Sequence, residues 1–177
     1  MKYYAQYNKN NGDLYKANCK CLSDFIENIE ITQDVYDNLE KYMYKNSKIV
    51  ENPEYPTIYL NQQKEKKIEE NDRIRDEALI AGVTYNNVLF DSDTDQKANL
   101  MAMYQTMDDK ATITWYGKNN KALLCTKEDI AKIGSMIAVL HTYCWNMNAH
   151  IKEQIANAQT LDELNAIVID YKQTDTK

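Results

Sequence analysis

The chain has 177 residues, 44% of them hydrophobic, and a net charge of −6, which allows one core, or one core with a small satellite domain. Arginine occurs only at Arg73 and Arg75, and the acidic balance excludes the clustered positive charge with which proteins bind nucleic acids. No run of about 18 apolar residues is present to span a membrane. We therefore expect a protein without nucleic-acid or membrane partners and without a signal peptide, made in the cytoplasm.

Residues 1–60 predict a small N-terminal α+β module that is rich in strands. Asn11-Gly12 lies between two alternating runs and indicates a tight β-hairpin. Thr32 has the side chain and the position of a helix N-cap. Both prolines of the chain, Pro53 and Pro56, fall between two short runs and indicate a turn. The predicted elements are strands at residues 2–7, 14–21, 26–31, 48–50 and 57–60, and a short helix at residues 33–44.

A polar stretch follows, and residues 61–82 predict a solvated helical spacer that ends at Gly82. We place the domain boundary at this spacer. Within it, Arg73, Arg75 and Asp76 could form an anion-binding cluster, but alternate residues of a helix such as Arg73 and Arg75 point to different faces. We therefore interpret these residues as forming a structural ion pair.

Residues 83–171 predict a C-terminal domain in which β-hairpins pack on helices, and residues 172–177 predict a polar tail. Asp93, Thr126 and Thr160 each stand three residues before a side chain that completes a capping box or a similar pair. The predicted elements are hairpins at residues 83–90 and 111–125, helices at residues 94–107 and 126–158, and a last helix from Thr160 to Tyr171 with Leu161, Leu164, Ile167 and Val168 facing inward.

The long helix at residues 126–158 is the dominant element of this domain. Its apolar residues recur at alternating steps of three and four, which keeps them on one side of the helix. A length of roughly 48 Å is more than one face of a small core needs. The stripe therefore has two candidate partners: the hairpins of its own chain, or neighbouring subunits. Contact with neighbouring subunits is expected around residues 147–158. The recurrence of isoleucine in the stripe favours a trimer for such an assembly. The stripe consists of Ile130, Ile133, Ile137, Leu140, Cys144, Met147, Ile151 and Ile155.

No residues have the spacing of a catalytic, cofactor or metal site, so none is expected. Residues 91–95 resemble the opening of a calcium loop, but Gln96 and Ala102 stand where such a loop needs Gly and Glu. Cys125 and Cys144 are interpreted as small buried hydrophobic residues.

Five segments occur in an order that resembles a known family. They are residues 73–76, 82–91, Trp115, 126–131 and 155–164. Together they resemble a domain of unknown function that is found in bacteriophage tail and tail-fibre proteins, over about residues 63–170. The N-terminal module is similar in style to the small β-rich units of tail-fibre-associated phage proteins.

The resemblance implies a location and partners rather than chemistry. It indicates a non-enzymatic structural protein of the virion, associated with the tail tip, baseplate or tail fibre, whose partners are other tail proteins. Two alternatives stay open: a tail-fibre assembly chaperone, and a small acidic phage effector that inhibits a host protein.

Overall fold

In the computed structural model, which describes residues 2–17 and 28–172, short antiparallel sheets are combined with helices. This arrangement confirms the predicted α+β class. The chain forms two units, Met1–Gln62 and Gln63–Lys177, which we call the N-terminal and C-terminal units. The predicted ends of the second and third strands, residues 18–21 and 26–27, lie outside the described residues.

Three antiparallel strands form the larger sheet of the N-terminal unit: β1 Tyr3–Tyr7, β2 Leu14–Ala17 and β3 Asn28–Ile31, in the order β2-β1-β3. The predicted hairpin is confirmed, and Gly12 adopts a φ of 82° in its turn, which glycine accepts without strain. The buried core residues of this unit are Ala5, Leu14, Ile31 and Val35.

The helix predicted at residues 33–44 is wrong beyond its first turns. Thr32 caps a short helix, α1 Gln33–Asp37, whose end is followed by a 3-10 turn. Strand β4 Tyr42–Lys45 then pairs with β5 Lys48–Glu51. The physical reason is the turn between the two strands, where two residues at φ 52° and 60° form a tight hairpin connection.

The strand predicted at residues 57–60 is also wrong, because these residues form the first turns of a long helix, α2 Tyr55–Ala81. Pro56 lies in the first turn, where the missing N–H has no partner to lose. The helix ends before Gly82, which has a φ of 90°. A side chain at this position would overlap the carbonyl oxygen of Phe90.

Up to residue 172, the C-terminal unit contains two hairpins and three further helices, and all of them except the last helix lie close to the predicted bounds. The first hairpin turns at Asn86 and Asn87, with φ values of 48° and 58° that asparagine tolerates. Asp93 caps α3, as predicted. The elements are β6 Val83–Tyr85, β7 Val88–Phe90, α3 Thr94–Thr106, β8 Thr112–Tyr116, β9 Ala122–Thr126, α4 Lys127–Asn157 and α5 Leu161–Ala166.

Helix α4 organises this unit. Its first turn is held by the capping box of Thr126 and Asp129, which satisfies N–H groups that the helix leaves without partners. One side of α4 packs on both hairpins and on α3. The core consists of Val83, Val88, Phe90, Leu100, Met107, Cys125, Ile130, Ile133 and Ile137.

The chain after α4 differs in part from the prediction. The capping box of Thr160 and Glu163 is confirmed, and Leu164 and Tyr171 are buried. Helix α5 ends at Ala166, so Val168 lies beyond the helix and is 76% exposed. Leu161, the first residue of α5, is 37% exposed, so neither side chain faces inward as predicted. Within residues 2–17 and 28–172, no helix combines the length and apolar character that a membrane crossing requires.

Candidate functional site

The predicted stripe of α4 lies against its own chain. Six of its eight side chains are buried, and Leu140 and Met147 are half-buried. The residues around 147–158, where a neighbouring subunit was expected, include the buried Ile151, Ile155 and Ala158. In this arrangement the six buried side chains are covered by their own chain, and Leu140 and Met147 are the stripe residues that stay partly open to solvent.

A polar cluster lies beside the stripe and joins α2, α4 and the C-terminal segment. Two of its members are asparagines that are almost completely buried, at 0% and 4% exposure. A buried amide without hydrogen bonds costs free energy, so each of these asparagines needs buried partners. The polar cluster consists of Asn71, Asp72, Arg75, Asn148, Lys152 and Tyr171.

Asn71 uses both ends of its amide. Its Nδ2 donates to the backbone oxygen of Asn148 at 3.3 Å, and its Oδ1 accepts from the hydroxyl of Tyr171 at 2.7 Å. These two bonds connect α2 to α4 and to the residues after α5. The sequence separations of 77 and 100 residues mean that the bonds fasten remote parts of the unit together.

Asp72 accepts from three side chains in the same cluster. Asn148 Nδ2 donates to it at 2.8 Å, and Arg75 Nη1 at 2.9 Å. Lys152 Nζ lies 2.7 Å from Oδ1. Burial of the carboxyl opposes its ionisation, but the hydrogen bonds from Lys152 and Asn148 outweigh this effect and lower the pKa of Asp72.

Arg75 is the least exposed charged side chain of the cluster, at 12% against 34% for Asp72. Its guanidinium lies 4.4 Å from the centre of the Trp145 ring and pairs with Asp76 at 2.8 Å, which confirms the predicted structural ion pair. The charged groups of the cluster thus satisfy one another. This arrangement supports a stabilising role and leaves no free nucleophile, acid or base among these six residues.

The lowered pKa of Asp72 predicts a pH dependence. A carboxyl with a lowered pKa in the folded state contributes stability above its unfolded value of about 3.9, and this contribution is lost as the pH falls below that value. We expect the wild type to lose more stability between pH 6 and pH 3 than Asp72→Asn does. Urea unfolding at several pH values gives the free energy of unfolding of both proteins. An equal decrease of this free energy between pH 6 and pH 3 in the two proteins contradicts the prediction.

An apolar groove runs between α3 and α4 on the surface of the C-terminal unit. Its volume is about 330 Å³. Met101 and Tyr104 are 64% and 48% exposed there. Apart from the adjoining residues and backbone of α4 itself, no described atom lies within 4 Å of the place where a side chain at Gly134 would begin. The groove is thus open to a side chain from outside. It is lined by Lys97, Leu100, Met101, Tyr104, Ile130, Ala131, Gly134 and Ala138.

The remaining candidates have structural surroundings. Cys125 and Cys144 are free and buried, as predicted, and burial raises the pKa of both thiols, which makes them poor nucleophiles. Among the described residues, no three His, Cys, Asp or Glu side chains are grouped as a metal site requires.

Sequence reasoning identified the stripe but missed the polar cluster and the apolar groove. A signal for the cluster exists in the sequence. Asn148 follows Cys144 by four residues and precedes Ile151 by three, so it falls on the buried side of α4. A polar residue in such a position needs a buried partner. The groove has no comparable signal, because it depends on the separation of two helices.

Comparison with known proteins identifies one family. The model described as a domain of unknown function (DUF4376) matches residues 62–173. No curated protein and no solved structure matches the chain.

Proposed function

The chain belongs to the family described as a domain of unknown function (DUF4376), and from this premise we propose that it is a non-enzymatic structural subunit of a bacteriophage tail. It acts through protein–protein contacts at the tail tip, baseplate or tail fibre. Two kinds of support exist. The order of segments in residues 63–170 resembles a domain of phage tail and tail-fibre proteins, and the geometry of the C-terminal unit favours contact with another protein.

The apolar groove is the observation that carries this proposal. A partner that covers large exposed side chains such as Met101 and Tyr104 removes their apolar surface from water. This burial stabilises the complex by about 25 cal/mol per Å² of apolar surface. Methionine and tyrosine are also enriched in protein interfaces. Lys97, an exposed residue that also lines the groove, supplies a positive charge there. We assign the groove to another tail protein.

The two alternatives differ from this proposal in where the protein is found. A tail-fibre assembly chaperone acts during morphogenesis and is absent from the finished particle. A small acidic effector acts on a host protein, for which the net charge of −6 is suitable. Both alternatives are compatible with a contact in the groove. Incorporation into the finished particle therefore distinguishes the proposed structural subunit from the chaperone and from the effector.

The Met101→Asp variant tests the groove. An unpaired charge in the centre of an interface is costly, and about 1.4 kcal/mol already changes affinity tenfold. We expect particles from a phage that lacks the gene and is supplied with this variant to contain at least about tenfold less of the protein than particles supplied with the wild type. Quantitative mass spectrometry of purified particles measures the difference.

Ala98→Asp is the matched control, since Ala98 is an exposed residue of the same helix outside the groove. This variant introduces the same charge and should be incorporated like the wild type. Equal incorporation of both variants excludes the groove as the contact site.

A further inference from the structure

The side of α4 that faces away from the core has a second regular pattern. No Lys, Arg, Asp or Glu occurs between Lys132 and Lys152, so roughly 30 Å of helix has no such charge even where it faces solvent. The solvent side of a surface helix is normally charged. Depletion of charge is instead typical of the centre of a protein interface.

We call this side the outward face of α4. Its residues are all exposed and recur at steps of three and four, which keeps them on one side of the helix, as in the seams through which helices pair. The outward face consists of Lys132, Ser135, Val139, Thr142, Asn146, His150 and Glu153.

We propose that two copies of the chain pair through the outward faces of α4, antiparallel and about a two-fold axis near Thr142. The charges at the two ends of the face carry this inference. Lys132 and Glu153 lie at equal distances on either side of the axis. An antiparallel pair therefore places Lys132 opposite Glu153 of the partner subunit, and the symmetry repeats this contact.

The register that pairs Lys132 with Glu153 of the partner subunit also brings uncharged residues opposite each other along the rest of the face. It sets Val139 opposite Asn146 of the partner subunit, and Ser135 opposite His150 of the partner subunit. A parallel pair would place Lys132 against Lys132 of the partner subunit, and like charges in an interface repel. The distribution of charge thus favours the antiparallel arrangement.

The end residues are available for this contact. Lys132 Nζ lies 2.8 Å from Glu128 in an exposed pair, and such pairs contribute little. Among residues 2–17 and 28–172, Glu153 has no ion-pair partner. Helices that pack with small side chains such as Ser135 between them approach to about 8–10 Å, which lysine and glutamate side chains span.

Two large exposed side chains extend the contact beyond the face. Met136 lies on one flank of α4 at 37% exposure, and Trp145 lies on the other at 53%. Both are residues that interfaces favour. The result is a dimer through the exposed side of α4, whereas the buried stripe predicted a trimer.

Charge reversal tests the pairing in the full-length chain. Sedimentation velocity over a concentration series should show a reversible dimer for the wild type. Lys132→Glu and Glu153→Lys should each raise the dissociation constant about tenfold, since each replaces two attractive contacts by two repulsive ones. The double variant restores opposite charges and should return to within about threefold of the wild type.

Lys110→Glu is the control for net charge, because Lys110 is exposed and lies in the turn before β8. It should dimerise like the wild type. A wild type that stays monomeric overturns the proposal, as do single reversals without effect or a double variant as weak as the single ones. This test concerns the isolated chain, so its result does not depend on whether the protein is found in phage particles.

Discussion

The Ile137→Asp variant is expected to lose the folded C-terminal unit. Ile137 is fully buried in the core between α4 and the hairpins. An aspartate there leaves a cavity and an unpaired charge without water. The combined cost is about 5 kcal/mol or more, which approaches the whole stability of a typical domain. Near-ultraviolet circular dichroism and thermal unfolding measure the loss.

Val139→Asp is the matched control on the same helix. Valine is β-branched like isoleucine, and the variant introduces the same aspartate two positions after Ile137. The side chain of Val139 is 59% exposed. This variant should keep the fold, with a change in the free energy of unfolding below about 0.5 kcal/mol, as is usual for surface substitutions. According to the proposed pairing, it is a folded monomer.

The comparison distinguishes the two sides of α4. If Ile137→Asp stays folded, the stripe does not form the core of this unit. If Val139→Asp unfolds as well, the outward face is needed for the fold and is not a free surface.

The Asn71→Leu variant is expected to destabilise the C-terminal unit by about 2–4 kcal/mol. Leucine cannot accept the hydrogen bond from the hydroxyl of Tyr171 and cannot donate one to the backbone oxygen of Asn148. Both groups then lose a partner in a buried place, and each such loss costs about 1–3 kcal/mol. Urea unfolding at neutral pH measures the effect.

Tyr171→Phe provides a second test of the same bond. Removal of the hydroxyl should cost about 1–2 kcal/mol, because Asn71 Oδ1 then loses its hydrogen-bond donor. The double variant should cost less than the sum of the two single ones, since the same bond is counted in both. Strict additivity of the two effects contradicts a direct interaction between these residues.

Local signals in the sequence predicted many elements. The asparagine turns and the helix caps involve residues within a few positions of each other, so their physical preferences can be read directly. Thr126 and Asp129 form the predicted capping box, and Asn86 and Asn87 form the predicted turn. Such interactions depend little on the rest of the fold.

The errors occurred where local preference was ambiguous. Residues 57–60 have aromatic and branched side chains that favour a strand, but they continue into a long polar helix, and the helix prevails. The helix prediction extends over residues 42–44, although two of them are tyrosines, which favour strands. The tight turn that follows makes them a strand. In both cases the neighbouring segment decided the structure.

The candidate site shows a different limit. The stripe identified which residues of α4 share a side, but a period of 3.5 does not say whether that side meets its own chain or another. The contact between Asp72 and Lys152 joins residues 80 positions apart, and the contact between Asn71 and Tyr171 joins residues 100 apart. Contacts at such separations depend on the whole packing.

Quantitative mass spectrometry of intact, gradient-purified phage particles tests the central claim most directly. The claim is that this chain is a structural subunit of the tail. The account predicts its peptides in the particles at a constant ratio to the other tail proteins, through successive purification steps. Absence of the protein from infectious particles would contradict the claim and favour the chaperone or the effector.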